Sequence, residues 1–157
     1  MNDSKKISSW ILLVSFFLIT CALSGCSSAK KKEAVAKTQA AIDSLKKIGS
    51  ATDVGMNYLK YGELLIEAKA KVDEAMPVIK DADIQSKIKS VMQKYLDVNT
   101  IWREKIENSN AIWFSKNYEA VKVCIDKYSL PVNSSDEDAI SLIWAKASAE
   151  LTDLKLK

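Results

Sequence analysis

Histidine is absent from all 157 residues, and that absence removes more chemistry than any residue present adds. Without an imidazole there is no Ser-His-Asp arrangement, most catalytic zinc sites lose a ligand, and the Glu-x-x-His pairs that build di-iron centres in helical bundles cannot form. Glycine occurs four times and proline twice. That scarcity leaves no phosphate loop and no dinucleotide-binding glycine pattern, so no cofactor is expected. Three scattered cysteines, Cys21, Cys26 and Cys124, do not make a metal cluster. No alternating apolar and polar run reads as a strand. Glu63 with Glu67, and Glu104 with Glu107, share helix faces, but each has lysines nearby and reads as exposed charge pairing rather than acid-base machinery.

What remains is a helix-forming vocabulary. Ala, Lys, Glu and Leu abound, residues that lose little side-chain freedom in a helix. Val54, Tyr58, Tyr61, Leu65, Ala68, Val72, Ala75 and Ile79 form one apolar stripe at helical spacing, and Pro77 is expected to end or kink that helix near Met76. Ile84, Ile88, Val91, Tyr95, Val98 and Trp102 form a second, with Asp83 as its expected amino-terminal cap. Phe114, Tyr118, Val121, Ile125 and Tyr128 form a third. Continuing the second register would put Lys105, Ser109 and Lys116 in its seam, so a turn is expected at Asn108-Ser109-Asn110.

After the loop at Leu130-Pro131-Val132-Asn133, Ser134 and Glu137 are spaced as a capping box, and the acidic residues 136 to 138 suit the positive start of a helix dipole. Ile140, Ile143, Ala147, Leu151 and Leu154 make the fourth stripe. Upstream, Val35, Ile42, Leu45 and Ile48 mark a weaker, Lys-rich helix before a break expected at Gly49-Ser50. The fold predicted is all-α: an antiparallel up-and-down bundle of four helices with an additional Lys-rich N-terminal tether helix.

The first residues divide differently. A basic start with Lys5 and Lys6, an apolar run from Trp10 to Ile19 and small residues behind it are the three parts of an export signal. The run is shorter than the roughly 20 residues a bilayer-spanning helix needs. Directly after it, Leu23-Ser24-Gly25-Cys26 resembles the lipobox of bacterial lipoproteins, a resemblance confined to the first 27 or so positions. It implies a diacylglyceryl group on the Cys26 thiol, cleavage just before it, and acylation of the new amine, so that Cys26 begins the mature chain. Cys21 fits less well, because Thr20 before it is bulky and the apolar run would be shortened. Each buried methylene contributes about 0.8 kcal/mol, so two or three acyl chains anchor firmly where one does so marginally. Ser27 comes next; in enteric-type bacteria this class stays at the inner membrane mainly when Asp stands there. The resemblance therefore points to the outer membrane, facing the periplasm or the cell surface.

On this reading residues 1–25 are a signal peptide, 26–48 a lipid-anchored basic tether and 49–157 the helical bundle domain. From Cys26 to Ile48 six lysines face two acids, a net of +4, while residues 49–157 carry a net of −2. Lys30, Lys31 and Lys32 beside the lipid are candidates for contact with anionic headgroups, each worth up to about 1 kcal/mol near such a surface. A solvated linker explains them equally well. The near-neutral remainder argues against a nucleic-acid partner. Cys124, left alone in the mature chain, is expected to be buried; an intermolecular disulfide or a reactive thiol is the alternative.

One helix carries a row to spare. Gly55, Leu59, Gly62, Ile66 and Ala70 run parallel to the first stripe, and two apolar faces on one helix need two partners. Either the tether helix folds over the extra row, or Leu59, Gly62 and Ile66 stand open as a site for another envelope protein. Aromatic residues, among them Tyr58, Tyr61, Tyr95, Trp102 and Trp144, are first a core, and second a possible lining for an apolar ligand. The function expected is that of a non-enzymatic envelope lipoprotein working by protein interaction, with a lipid or small-ligand carrier as the alternative.

Overall fold

The computed structural model describes the backbone of residues 4–108 and 119–154, and the side chains of 28–107 and 119–154. Five helices follow one another, α1 (Ser4–Asp53), α2 (Tyr58–Ala75), α3 (Ala82–Asn108), α4 (Glu119–Tyr128) and α5 (Asp136–Thr152), with no strand among the described residues. Two compact units divide the chain, residues 1–36 and 37–157.

Local chemistry sets each boundary. α1 runs through Gly49-Ser50, where a break was expected, and stops only before Gly55, whose φ of 84° is a left-handed conformation that glycine adopts without strain. One helical glycine costs only about 1 kcal/mol. At Gly49 the missing side chain also serves packing, since a Cβ there would lie 3.3 Å from the Tyr95 hydroxyl of α3. Asn57 caps α2, its side chain accepting from the Lys60 amide at 2.8 Å. The helix thus starts later than its stripe, and Val54 lies outside it, 86% exposed. Met76 closes α2 just ahead of Pro77, as the sequence predicts.

Two caps are shifted from their expected positions. At α3 the cap is Asp81, not Asp83: Asp81 Oδ1 accepts from the amides of Asp83 and Ile84 at 3.0 and 3.1 Å, and the Asp83 carboxylate instead meets Lys87 one turn on. At α5 the capping box is Ser135 with Asp138, one residue beyond Ser134 and Glu137. Ser134 is engaged elsewhere, donating to the Pro131 carbonyl at 2.8 Å and so closing the loop. The second amide of α4 is satisfied from outside the helix, with Ala120 N donating to Glu104 of α3 at 3.1 Å. Of the turn expected at 108–110, Asn108 still belongs to α3, while residues 109 and 110 and the stripe residues Phe114 and Tyr118 lie outside the described residues.

Within residues 37–157 the helices form an all-α bundle, but the expected up-and-down order does not hold to its end. Cross-helix pairs give the directions: Lys94 meets Glu150 and Trp102 meets Trp144, while Glu104 meets Ala120 and Asp97 meets Tyr128, so α4 and α5 each run antiparallel to α3 and therefore parallel to one another, the loop after α4 carrying the chain back along α3 before α5 begins. α3 is central, touching α2, α4 and α5. Its Ile88, Val91, Tyr95, Val98 and Ile101 are fully buried. The last part of α1 belongs to the same core: Ala41, Ile42, Leu45 and Ile48 are 0–2% exposed. Burying a Leu or Ile completely contributes about 1.5–3 kcal/mol, so residues 37–53 are a working helix of the bundle.

Candidate functional site

The outer face of α2 is where the sequence singled out an interaction surface. Its seam residues Tyr61, Leu64, Leu65, Ala68, Val72 and Ala75 are buried. On the opposite side Leu59 and Ile66 are each 75% exposed, and a side chain added at Gly62 between them would meet no atom within 4 Å. The part of α1 within the bundle, residues 37–53, therefore does not cover this row. The end of α1 packs on the inner core instead, because Ala41, Ile42, Leu45 and Ile48 bury there as one stripe. Around the open row run exposed ion pairs, Lys60 with Glu63 at 2.9 Å, Lys47 with Glu67 at 2.8 Å, Lys71 with Glu74 at 3.2 Å, and Lys69 with Asp73. Exposed pairs add roughly 0–1 kcal/mol each. Their larger effect is to leave the apolar row between neutralised charges.

The other sites named from sequence fall in the unit of residues 1–36. Cys26 sits on α1, and its side chain is outside the described residues. Lys30, Lys31 and Lys32 are exposed on the same helix.

The aromatic residues fill the space between α2, α3 and α5. Tyr61 lies 5.6 Å from Trp102 and 5.7 Å from Trp144, Trp102 lies 5.8 Å from Trp144, and Tyr58 flanks Trp102 at 5.8 Å, centroid to centroid. Tilted and edge-on packing at this spacing is favourable for rings. A ligand here would have to displace them. The Tyr61 hydroxyl donates to the Tyr95 carbonyl at 2.8 Å and accepts from Trp144 Nε1 at 3.4 Å, and burial pushes its pKa up. The Tyr95 hydroxyl is buried with no well-formed hydrogen bond among the described residues; burial, then the Asp53 charge, push it up to about 12, against a smaller lowering from Ser148 of α5.

A buried polar network joining α3, α4 and α5 escaped the sequence reading. Lys94, 7% exposed, donates to Ser90 Oγ at 2.8 Å and to Glu150 Oε2 at 2.9 Å, while Ser90 Oγ donates to Glu150 Oε1 at 3.1 Å. One turn on, Asp97 accepts from Gln93 at 2.8 Å, Lys127 at 2.6 Å and the Tyr128 hydroxyl at 2.5 Å. Burial pushes the Asp97 carboxyl up, but these three hydrogen bonds and the Lys127 charge outweigh it and hold it below the usual carboxylate range. The Tyr128 ring carries Lys94 Nζ at 5.6 Å and Lys127 Nζ at 5.2 Å from its centroid. Ser90 beside a lysine is a pair that can serve nucleophilic catalysis. Here both polar functions of the hydroxyl are already taken by Lys94 and Glu150, and the arrangement clamps α5 to α3. A signal for it was present: Ser90, Lys94, Asp97 and Ile101 repeat the main stripe of α3 one residue early.

Cys124 is buried at 3% exposure, as expected. Burial, with Asp97 second, pushes its thiol up to about 11, which disfavours the nucleophilic thiolate at neutral pH. Among the described residues no group of three Cys, Asp or Glu side chains is placed to hold a metal ion, and no helix is long and apolar enough to cross a membrane. Compared with known proteins, the chain matches no family model, no curated protein and no solved structure.

Proposed function

We propose that this chain is a non-enzymatic lipoprotein of the cell envelope, held on a membrane by acylated Cys26 and acting by binding another envelope protein through the outer face of α2. The observation that carries the interaction reading is the pair Leu59 and Ile66, 75% exposed on a helix whose opposite face is fully used. Scattered surface leucines need no explanation, but two large aliphatic residues a helical two-turn apart, with an open glycine between them, make a ridge that a partner helix can straddle. The anchoring reading rests on Leu23-Ser24-Gly25-Cys26 behind the apolar run, and Ser27 favours the outer membrane. The exposed Lys30, Lys31 and Lys32 suit contact with anionic headgroups beside the acyl chains.

Two experiments test the two halves separately. Cys26→Ser should leave an unprocessed precursor that takes up no labelled fatty acid, and continued labelling would remove the anchor. A photo-crosslinking residue placed at 59 or 66 in the intact lipoprotein should form adducts with one envelope protein, while the same probe at the exposed Ala145 of α5 should not. Equal adducts at all three positions would remove the binding face.

A further inference from the structure

We draw no further inference here: the strongest candidate beyond the α2 face already described, the half-buried aromatic cluster of Tyr58, Trp102 and Trp144 where α2, α3 and α5 meet, has its rings packed on one another, and nothing in the structure shows what covers their remaining surface.

Discussion

On α3 the row beside the main seam, Ser90, Lys94, Asp97 and Ile101, is covered by α4 and α5, whereas on α2 the row opposite the seam, Leu59, Gly62 and Ile66, stands open. The chemistry is inverted relative to the burial. The covered row holds a lysine and an aspartate, and the open row holds two large aliphatic residues. An amphipathic helix normally does the reverse. Buried polar groups and exposed apolar ones are the informative exceptions in a structure, and here the two exceptions have different causes. Lys94 tolerates burial because Glu150, Ser90 and the Tyr128 ring satisfy it. Nothing in the fold calls for Leu59 and Ile66 to be aliphatic, since neither contributes to the core. The contrast teaches that periodicity reports how many faces a helix has, while the number of neighbouring helices decides which of them are filled.

The largest test of this contrast is on the inner side. Leu45 of α1 is 0% exposed in the shared core, so Leu45→Ala should cost about 2–5 kcal/mol of stability in urea unfolding, through lost transfer energy and the cavity left behind. A loss under about 1 kcal/mol would mean that α1 is dispensable to the bundle, and the tether would again be a candidate cover for α2.

Next comes the clamp. Glu150→Ala leaves the Lys94 ammonium 9% exposed at its side chain and without its carboxylate. Breaking a fully buried pair costs about 3–5 kcal/mol; Glu150 is itself 35% exposed, so a loss of about 1–3 kcal/mol is expected. Lys94→Met, which removes the charge and keeps the stem, should be much milder. If both substitutions cost the same few tenths of a kcal/mol, the covered row of α3 is electrostatically no different from the surface.

The same row predicts an acid sensitivity. Because the folded state holds the Asp97 carboxyl below its unfolded value of about 3.9, it binds that proton less readily than the unfolded chain. Its stabilisation is therefore complete above that value and is lost as pH falls through the folded pKa. Asp97→Asn should be less stable than the parent at pH 7, and the gap should narrow in the acid range when both are unfolded in urea. A gap independent of pH would show that Asp97 acts through shape alone.

Much of this fold is legible in the chain. The stripes of α2, α3 and α5 appear in the sequence at their observed register, because their seams are long and uninterrupted and Pro77 marks one end. Boundaries are less legible. Asp81, Asp83, Ser134 and Ser135 are all competent caps, and selection among them depends on which side chain is drawn off to another partner, Asp83 to Lys87 and Ser134 to the Pro131 carbonyl. Helical glycine is ambiguous in the same way: Gly49 stays in α1 because Tyr95 lies against it, whereas Gly55 ends the helix by turning left-handed. The clamp was hidden because Ser90, Lys94 and Glu150 are 60 residues apart at their widest, and a lysine in a helix reads as solvated until its partner helix is known. The open row of α2 was visible as a row, but its occupant is not encoded in spacing.

The smallest expected effect on stability is on that row, and it sharpens the comparison most. Leu59→Lys with Ile66→Lys removes two side chains that are 75% exposed and stand outside α2's buried seam. Lysine is a good helix former, better than the β-branched isoleucine it replaces. New lysines at positions 59 and 66 stand four and three residues from Glu63, spacings that favour opposite charges on a helix. The double variant should therefore unfold within about 0.5 kcal/mol of the parent, the range of ordinary surface substitutions, with an unchanged helical circular dichroism spectrum. It should also lose the envelope protein that crosslinks through position 59 or 66 in the parent, read with the probe moved to Gly62. A loss of about 2 kcal/mol or more in stability would show that these residues are covered within the folded protein itself. Full stability with the crosslinked partner retained would leave the row as bare surface, and the inverted chemistry of α2 would carry no function.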